Sequence, residues 1–154
     1  MPNKSRAFLL VFSQLVLIVV LVLAPRTSEP WGVATEALGW LGGALAVIGV
    51  AIALVAGFGL GSSLTASPIP RARASLVTTG LYSRVRHPIY FGILLAGFGI
   101  LLDAGYWPQL IILLMLWLVL KTKADFEESL LRQRFPDYAA YAQRTPQLIP
   151  RIFG

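Results

Sequence analysis

Residues 7–24 read AFLLVFSQLVLIVVLVLA, a stretch without a single charge. An α-helix of that length rises about 27 Å, close to the roughly 30 Å hydrocarbon core of a bilayer. A cleavable secretory signal has a shorter apolar core, and Pro25 follows Ala24 where a cleavage site would fall. The stretch is therefore expected to be an uncleaved first membrane span, and the rest of the fold is read outward from it.

The 154-residue chain is 56% hydrophobic and only 13% charged, too little charged surface for a soluble domain of this size. A second span is expected over 38–61, where glycines and alanines in WLGGALAVIGVAIALVAGFGL allow close helix approach. Two shorter apolar runs, 88–102 and 107–121, flank the turn-like DAGYWP and are expected to form a tight helical hairpin. The expected class is all-α. It is a polytopic integral membrane protein of about four transmembrane helices, one membrane domain over 1–154, with a loop at 62–88 and an amphipathic helix and tail over 122–154.

Charge sets the expected orientation. Lys4 and Arg6 precede the first span, Arg71, Arg73, Arg84 and Arg86 lie in the central loop, and six more basic residues follow Leu120. The other two connections hold Arg26, Glu29, Glu36 and Asp103. The positive-inside rule then places both termini and the central loop in the cytoplasm. This topological reading of the net charge of +6 is preferred to nucleic-acid binding. With no cysteine, disulfides and thiolate chemistry are excluded, and no metal site is expected.

The candidate chemistry falls on the cytoplasmic side. The one histidine, His87, precedes Pro88, a residue suited to the first turn of a helix, so His87 is expected at the cap. Helical spacing then puts Tyr90, Phe91 and Leu94 on its face. The second piece, KTKADFEESLLRQRFPDYAAYAQRTPQLIPRIF, opens with pairs four apart, Lys121 with Asp125, Lys123 with Glu127, and Glu128 with Arg132. A solvated helix laced by ion pairs accounts for much of it. Alone, basic and aromatic residues at a helix end are membrane anchors at least as often as sites.

Taken together, LVTTGLYSRVRHPIYFG and EESLLRQRFPDYAAYAQRTPQLIP resemble the isoprenylcysteine carboxyl methyltransferase family and related phospholipid methyltransferases, over about residues 75–150. The first two spans resemble that family only in being apolar. The resemblance implies an S-adenosylmethionine-dependent enzyme acting on a lipophilic methyl acceptor. Carried over by position, Ser75, Leu76, Val77, Tyr82, His87, Pro88, Ile89 and Tyr90 would contact the cofactor, and Glu127 would close the site. Such a helix N-terminus with a histidine donor would suit the cofactor's carboxylate, and Glu127 its ammonium or hydroxyls.

Lys123 stands where the family usually has an arginine and is the first choice for orienting the acceptor, with Arg132 and Arg144 as further candidates. Lysine keeps the charge but not the two-pronged geometry. Pro136 replaces a family glycine, and Ala74 stands where some members have histidine. Gly57, Gly59 and Gly61 are expected to be packing contacts.

The favoured acceptor is a prenylcysteine-like carboxylate, with a lipid amine or small thiol as the alternative. An amine acceptor would need a base, for which Glu128 is the candidate. Outside enzymes, the alternative is a small transporter or assembly subunit, and a third possibility is that the scaffold binds a different nucleotide, as the distantly similar membrane sterol reductases do. Apart from Lys121 at the end of the fourth, the expected spans contain no charged residue of the kind that marks a transport path.

Overall fold

A computed structural model describes residues 4–27, 30–65, 67, 69 and 75–150. It is all-helical, with no strand among the described residues. Five α-helices occur in order: α1 Lys4–Leu23, α2 Thr35–Leu60, α3 Pro88–Ala104, α4 Pro108–Arg134 and the short α5 Tyr138–Arg144. Glu29, Arg71, Arg73, Ala74 and Arg151, which entered the charge and family readings, lie outside the described residues.

The breaks between helices follow the punctuation of the sequence. α1 stops just before Ala24 and Pro25, and both α3 and α4 begin on a proline whose missing N–H costs nothing there. α3 ends at Gly105 in the left-handed conformation, φ +58°, from which its N–H reaches Leu101 O. Nothing comparable interrupts 108–134, so the expected fourth span and the expected amphipathic helix are one continuous helix. Charge changes along α4 at Lys121, but the backbone does not, and the buried stripe of Leu116, Leu120, Ala124 and Glu128 runs straight across it.

Lys4–Leu23 and Gly32–Leu60 are long and apolar enough to cross a membrane, whereas α3 is shorter. Phe8, Leu15 and Val19 of α1, Trp40, Val47 and Leu54 of α2, and Leu110, Leu114 and Leu118 of α4 are all exposed. A soluble protein rarely leaves so many large aliphatic side chains in water.

The helices associate as two pairs, α2 with α3 and α1 with α4. α2 and α3 meet backbone to backbone. A Cβ added at Gly49 would lie 2.5 Å from Gly92 O, and one at Gly42 would lie 2.5 Å from Gly99 O. Small residues at 42, 46, 49 and 53 thus mesh with those at 92, 96 and 99, the close approach that compensates for a weak hydrophobic drive inside lipid. This pairing draws α3 onto α2 and loosens the expected α3–α4 hairpin.

The glycines expected to pack, Gly57, Gly59 and Gly61, are not at this seam. The first two make ordinary contacts, and Gly61 instead ends α2 with a φ of +49°. α4 completes the bundle through Leu116, Leu120 and Ala124, which cluster with Leu21, Tyr90 and Leu148.

Two connections share one end of the bundle. Thr27 N–H donates to Ala104 O at 2.9 Å and Trp31 Nε1 to Leu102 O at 2.8 Å, while Arg26 pairs with Asp103. Residues 61–65 and 75–87, the second half of α4 and α5 gather at the other end, where the candidate chemistry lies.

Candidate functional site

The chain from Tyr82 to His87 is fixed by the C-terminal tail. Arg86 N–H donates to Pro146 O at 2.8 Å and His87 N–H to Gln147 O at 3.1 Å. The Arg86 side chain goes further, giving Nη1 to the carbonyls of Ala142 and Thr145 and a two-pronged grip to Glu128. One arginine thereby binds α5, the tail and α4 to the turn before α3. Gln147 Nε2 adds a tie to Asp125 Oδ1 at 2.8 Å, and Lys121 holds the same carboxylate at 2.6 Å.

Glu128 is buried in this knot. His87 Nε2 lies 3.0 Å from its Oε1, and Arg132 Nη2 lies 3.7 Å from its Oε2. Burial works to raise its proton affinity, but the hydrogen bonds from His87 and Arg86 outweigh burial and hold the carboxyl down at about 2. Its oxygens are occupied and it does not line the cleft described below. The expected role of base for an amine acceptor therefore does not suit it, because a carboxylate held this acidic is a poor proton acceptor at neutral pH.

Glu127, the next residue, points elsewhere. Tyr90 donates its hydroxyl to Glu127 Oε2 at 3.0 Å, and His87 Nδ1 lies 3.8 Å from the same oxygen. The His87 and Tyr90 rings stack at 5.1 Å with 9° between planes. The imidazole thus has a carboxylate near each nitrogen. It braces the two glutamates rather than presenting a free donor to a ligand's carboxylate, as the cap position had suggested.

Lys123 is buried beside them. Its Nζ donates to Gln14 Oε1 of α1 at 2.8 Å and lies 5.1 Å from the centre of the Tyr90 ring. Burial lowers its proton affinity and the nearby Glu127 charge opposes that shift. The expected Lys123–Glu127 pair is thus replaced by a lysine held against an amide and an aromatic face. Lys121–Asp125 forms as the spacing suggested.

These groups surround a cleft of about 370 Å³, within the roughly 300–1,000 Å³ usual for small-molecule and cofactor sites. Ser75, Leu76, Val77, Tyr82, His87, Ile89 and Tyr90 line it from one piece of the chain, and Lys123 and Glu127 from the other. Pro88 starts α3 behind this lining, and neither Arg132 nor Arg144 reaches the cleft. Of the residues on the His87 face, Tyr90 reaches the cleft and Phe91 does not. Leu94 packs against the core cluster.

Gln14, Val11 and Leu15 of α1, and Leu131, Phe135, Tyr138 and Tyr141 at the far end, also line the cleft without having been singled out. Gln14 carried a readable signal, a long polar side chain inside an uncharged span.

Two curated proteins are similar to part of the chain. The cobalt-zinc-cadmium resistance protein CzcN of Cupriavidus metallidurans is 37% identical over 87 residues, covering 53% of this chain and 38% of that protein. The nickel-cobalt-cadmium resistance protein NccN of Alcaligenes xylosoxydans xylosoxydans is 34% identical over 84 residues, covering 53% of this chain and 39% of its own. The shared stretch is thus less than two-fifths of either relative. A family profile reaches much further, through both N-terminal helices as well as the cleft. With residues 1–145 matched, the chain belongs to the family described as protein of unknown function DUF1295.

Proposed function

We propose that the chain is an integral membrane methyltransferase that takes S-adenosylmethionine in the cleft and a lipophilic acceptor from the bilayer. In this reading the four long helices all enter the membrane, with α3 tilted or the bilayer thinned around it. Both termini and the cleft face the cytoplasm. One observation carries the proposal. Residues 75–90 and 123–127, recognisable together in sequence and separated by a helical hairpin, line the same cavity.

The residues present fit the cofactor. Glu127 offers a carboxylate to an ammonium or to ribose hydroxyls, and tyrosines and aliphatic side chains offer flat apolar walls to a base. When bound, S-adenosylmethionine supplies an electrophilic methyl group on a sulfonium. The chain's own task is alignment, because in-line displacement is governed by near-attack geometry.

Lys123, steadied by Gln14 and the Tyr90 ring, would hold the anionic end of the acceptor, leaving its apolar chain among the exposed side chains of α1. Tyr90 links the two halves, since its hydroxyl fixes Glu127 while its face supports Lys123. A carboxylate acceptor needs no base, being ionised at neutral pH. With Glu128 occupied, that favours a prenylcysteine-like carboxylate over an amine.

The relatives' names raise a second reading, a part in resistance to metals. Among the described residues no group of three His, Cys, Asp or Glu is placed to hold a metal ion. Calorimetry on the purified full chain in detergent tests both readings. Saturable binding of S-adenosylhomocysteine is expected, and binding of Zn²⁺ or Cd²⁺ in its place would overturn the proposal.

A further inference from the structure

Four tyrosines line the cleft, Tyr82, Tyr90, Tyr138 and Tyr141. Three commit their hydroxyls to the protein. Tyr82 donates to Ala56 O at 3.2 Å, Tyr90 to Glu127 at 3.0 Å and Tyr141 to Tyr82 O at 2.6 Å. The Tyr138 hydroxyl, on a residue only 1% exposed, has no hydrogen-bond partner among the described residues. A buried hydroxyl left unpaired is costly and uncommon in folded proteins, so this one calls for an explanation.

The Tyr138 ring is held in place. The Arg132 guanidinium lies 5.4 Å from its centre, Tyr141 meets it edge-on at 5.8 Å, and its backbone N–H donates to Phe135 O at 3.1 Å. Burial, with the Glu128 charge nearby, raises its proton affinity, so it remains a donor at any physiological pH.

Its position in the cleft is informative. Gln14, Lys123 and Glu127 make one part polar and charged, whereas Phe135, Tyr138 and Tyr141, with the aliphatic Leu131, make the other largely aromatic. Lys123 and Phe135 are separated by about 18 Å of helical rise, enough for an extended nucleoside with a charged arm.

We infer that the aromatic end of the cleft takes the nucleobase of the methyl donor and that the Tyr138 hydroxyl donates to a ring nitrogen of that base. The inference rests on the methyl-donor reading of the cleft. It makes Tyr138 a ligand-reading residue supplied by α5, and it explains why the fold tolerates an unpaired hydroxyl there. A site built to hydrogen-bond one atom discriminates strongly against ligands lacking it.

The test compares the wild-type chain with Tyr138→Phe in detergent, measuring thermal unfolding without ligand and calorimetric affinity for S-adenosylhomocysteine. The variant should unfold at the same temperature or higher, because it loses an unpaired group, yet bind roughly tenfold more weakly. Deaza analogues, each with one ring nitrogen replaced by CH, provide the second measurement. One of them should lose about the same factor on the wild-type chain and nothing further on Tyr138→Phe.

If the variant is poorly folded, the analogues on the wild-type chain decide alone. Equal binding of all analogues by the wild type, or equal affinity of wild type and a well-folded variant, overturns the inference and leaves the methyl-donor reading standing. Failure of the wild-type chain to bind S-adenosylhomocysteine at all removes both.

Discussion

The Arg86 guanidinium grips the Glu128 carboxylate with two hydrogen bonds, Nε to Oε1 at 2.8 Å and Nη2 to Oε2 at 3.1 Å. Both side chains are almost fully buried. A buried ion pair is weak support for stability as a whole, but removing one partner strands the other charge. The pair therefore acts as a fastening: it holds α4 against the turn that carries His87 and leads into α3, where Tyr90 lies.

Arg86→Ala should lower stability by about 3–5 kcal/mol, the usual cost of breaking a buried pair. Arg86→Lys should recover only part of this, because a lysine cannot satisfy the carboxylate and two backbone carbonyls in a fixed plane. Thermal unfolding in detergent reads both. Unchanged stability in Arg86→Ala would show that the fastening is idle.

The Glu128 carboxyl titrates at about 2 in the folded chain, against an ordinary 4.5. A depressed folded value means that the stabilisation is complete above about 4.5 and fades as pH falls towards 2. The amount at stake is on the order of 3 kcal/mol. Unfolding measured from neutral to acidic pH should show this loss in the wild type, and Glu128→Gln should be less stable at neutral pH with a flatter acid limb. Parallel acid curves for the two would contradict the assignment.

Gly49 and Gly92 seat α2 on α3, so Gly49→Leu or Gly92→Leu should force the helices apart and sharply lower the unfolding temperature. Gly43 on the same helix has nothing within 4 Å of an added Cβ. Gly43→Ala should be neutral or raise stability by up to about 1 kcal/mol through helix propensity. Equal effects at the two positions would mean that the seam is not a close contact.

Much of this fold was legible, for identifiable reasons. Pro25, Pro88, Gly105 and Pro108 punctuate the chain, and the observed α1 to α3 fall within a few residues of the expected spans. Hydropathy suggests a boundary at Lys121 where α4 has none, because it reports the solvent around a helix and not its continuity. The helix pairing was only half readable. Alternating glycines announced a close approach, but which glycines meet depends on register across two helices.

In the cleft, the same limit applies. His87, Tyr90 and Glu127 were recognisable as motif residues. Gln14 and Tyr138 are brought in by tertiary packing over separations of more than 100 residues in one case and about 50 in the other. The demotion of Glu128 from base to fastening likewise depends on Arg86, 42 positions away.

Lys123→Ala should reduce acceptor turnover far more than affinity for S-adenosylhomocysteine, and Gln14→Leu should do the same more mildly. With a carboxylate acceptor, turnover in the wild type should stay flat from neutral to mildly alkaline pH, then fall as Lys123 loses its proton. Its burial-lowered proton affinity brings that fall to lower pH than for an exposed lysine. A steady rise with pH would indicate an amine acceptor.

On the proposed function, residues 75–90 and 123–141 hold one methyl donor between them. Ultraviolet cross-linking of the membrane-embedded chain with labelled S-adenosylmethionine, followed by peptide mapping, reads this out. Adducts in both segments, suppressed by excess S-adenosylhomocysteine, are predicted. Labelling that is not competed away, or that maps outside both segments, would mean that the two segments do not share a methyl donor.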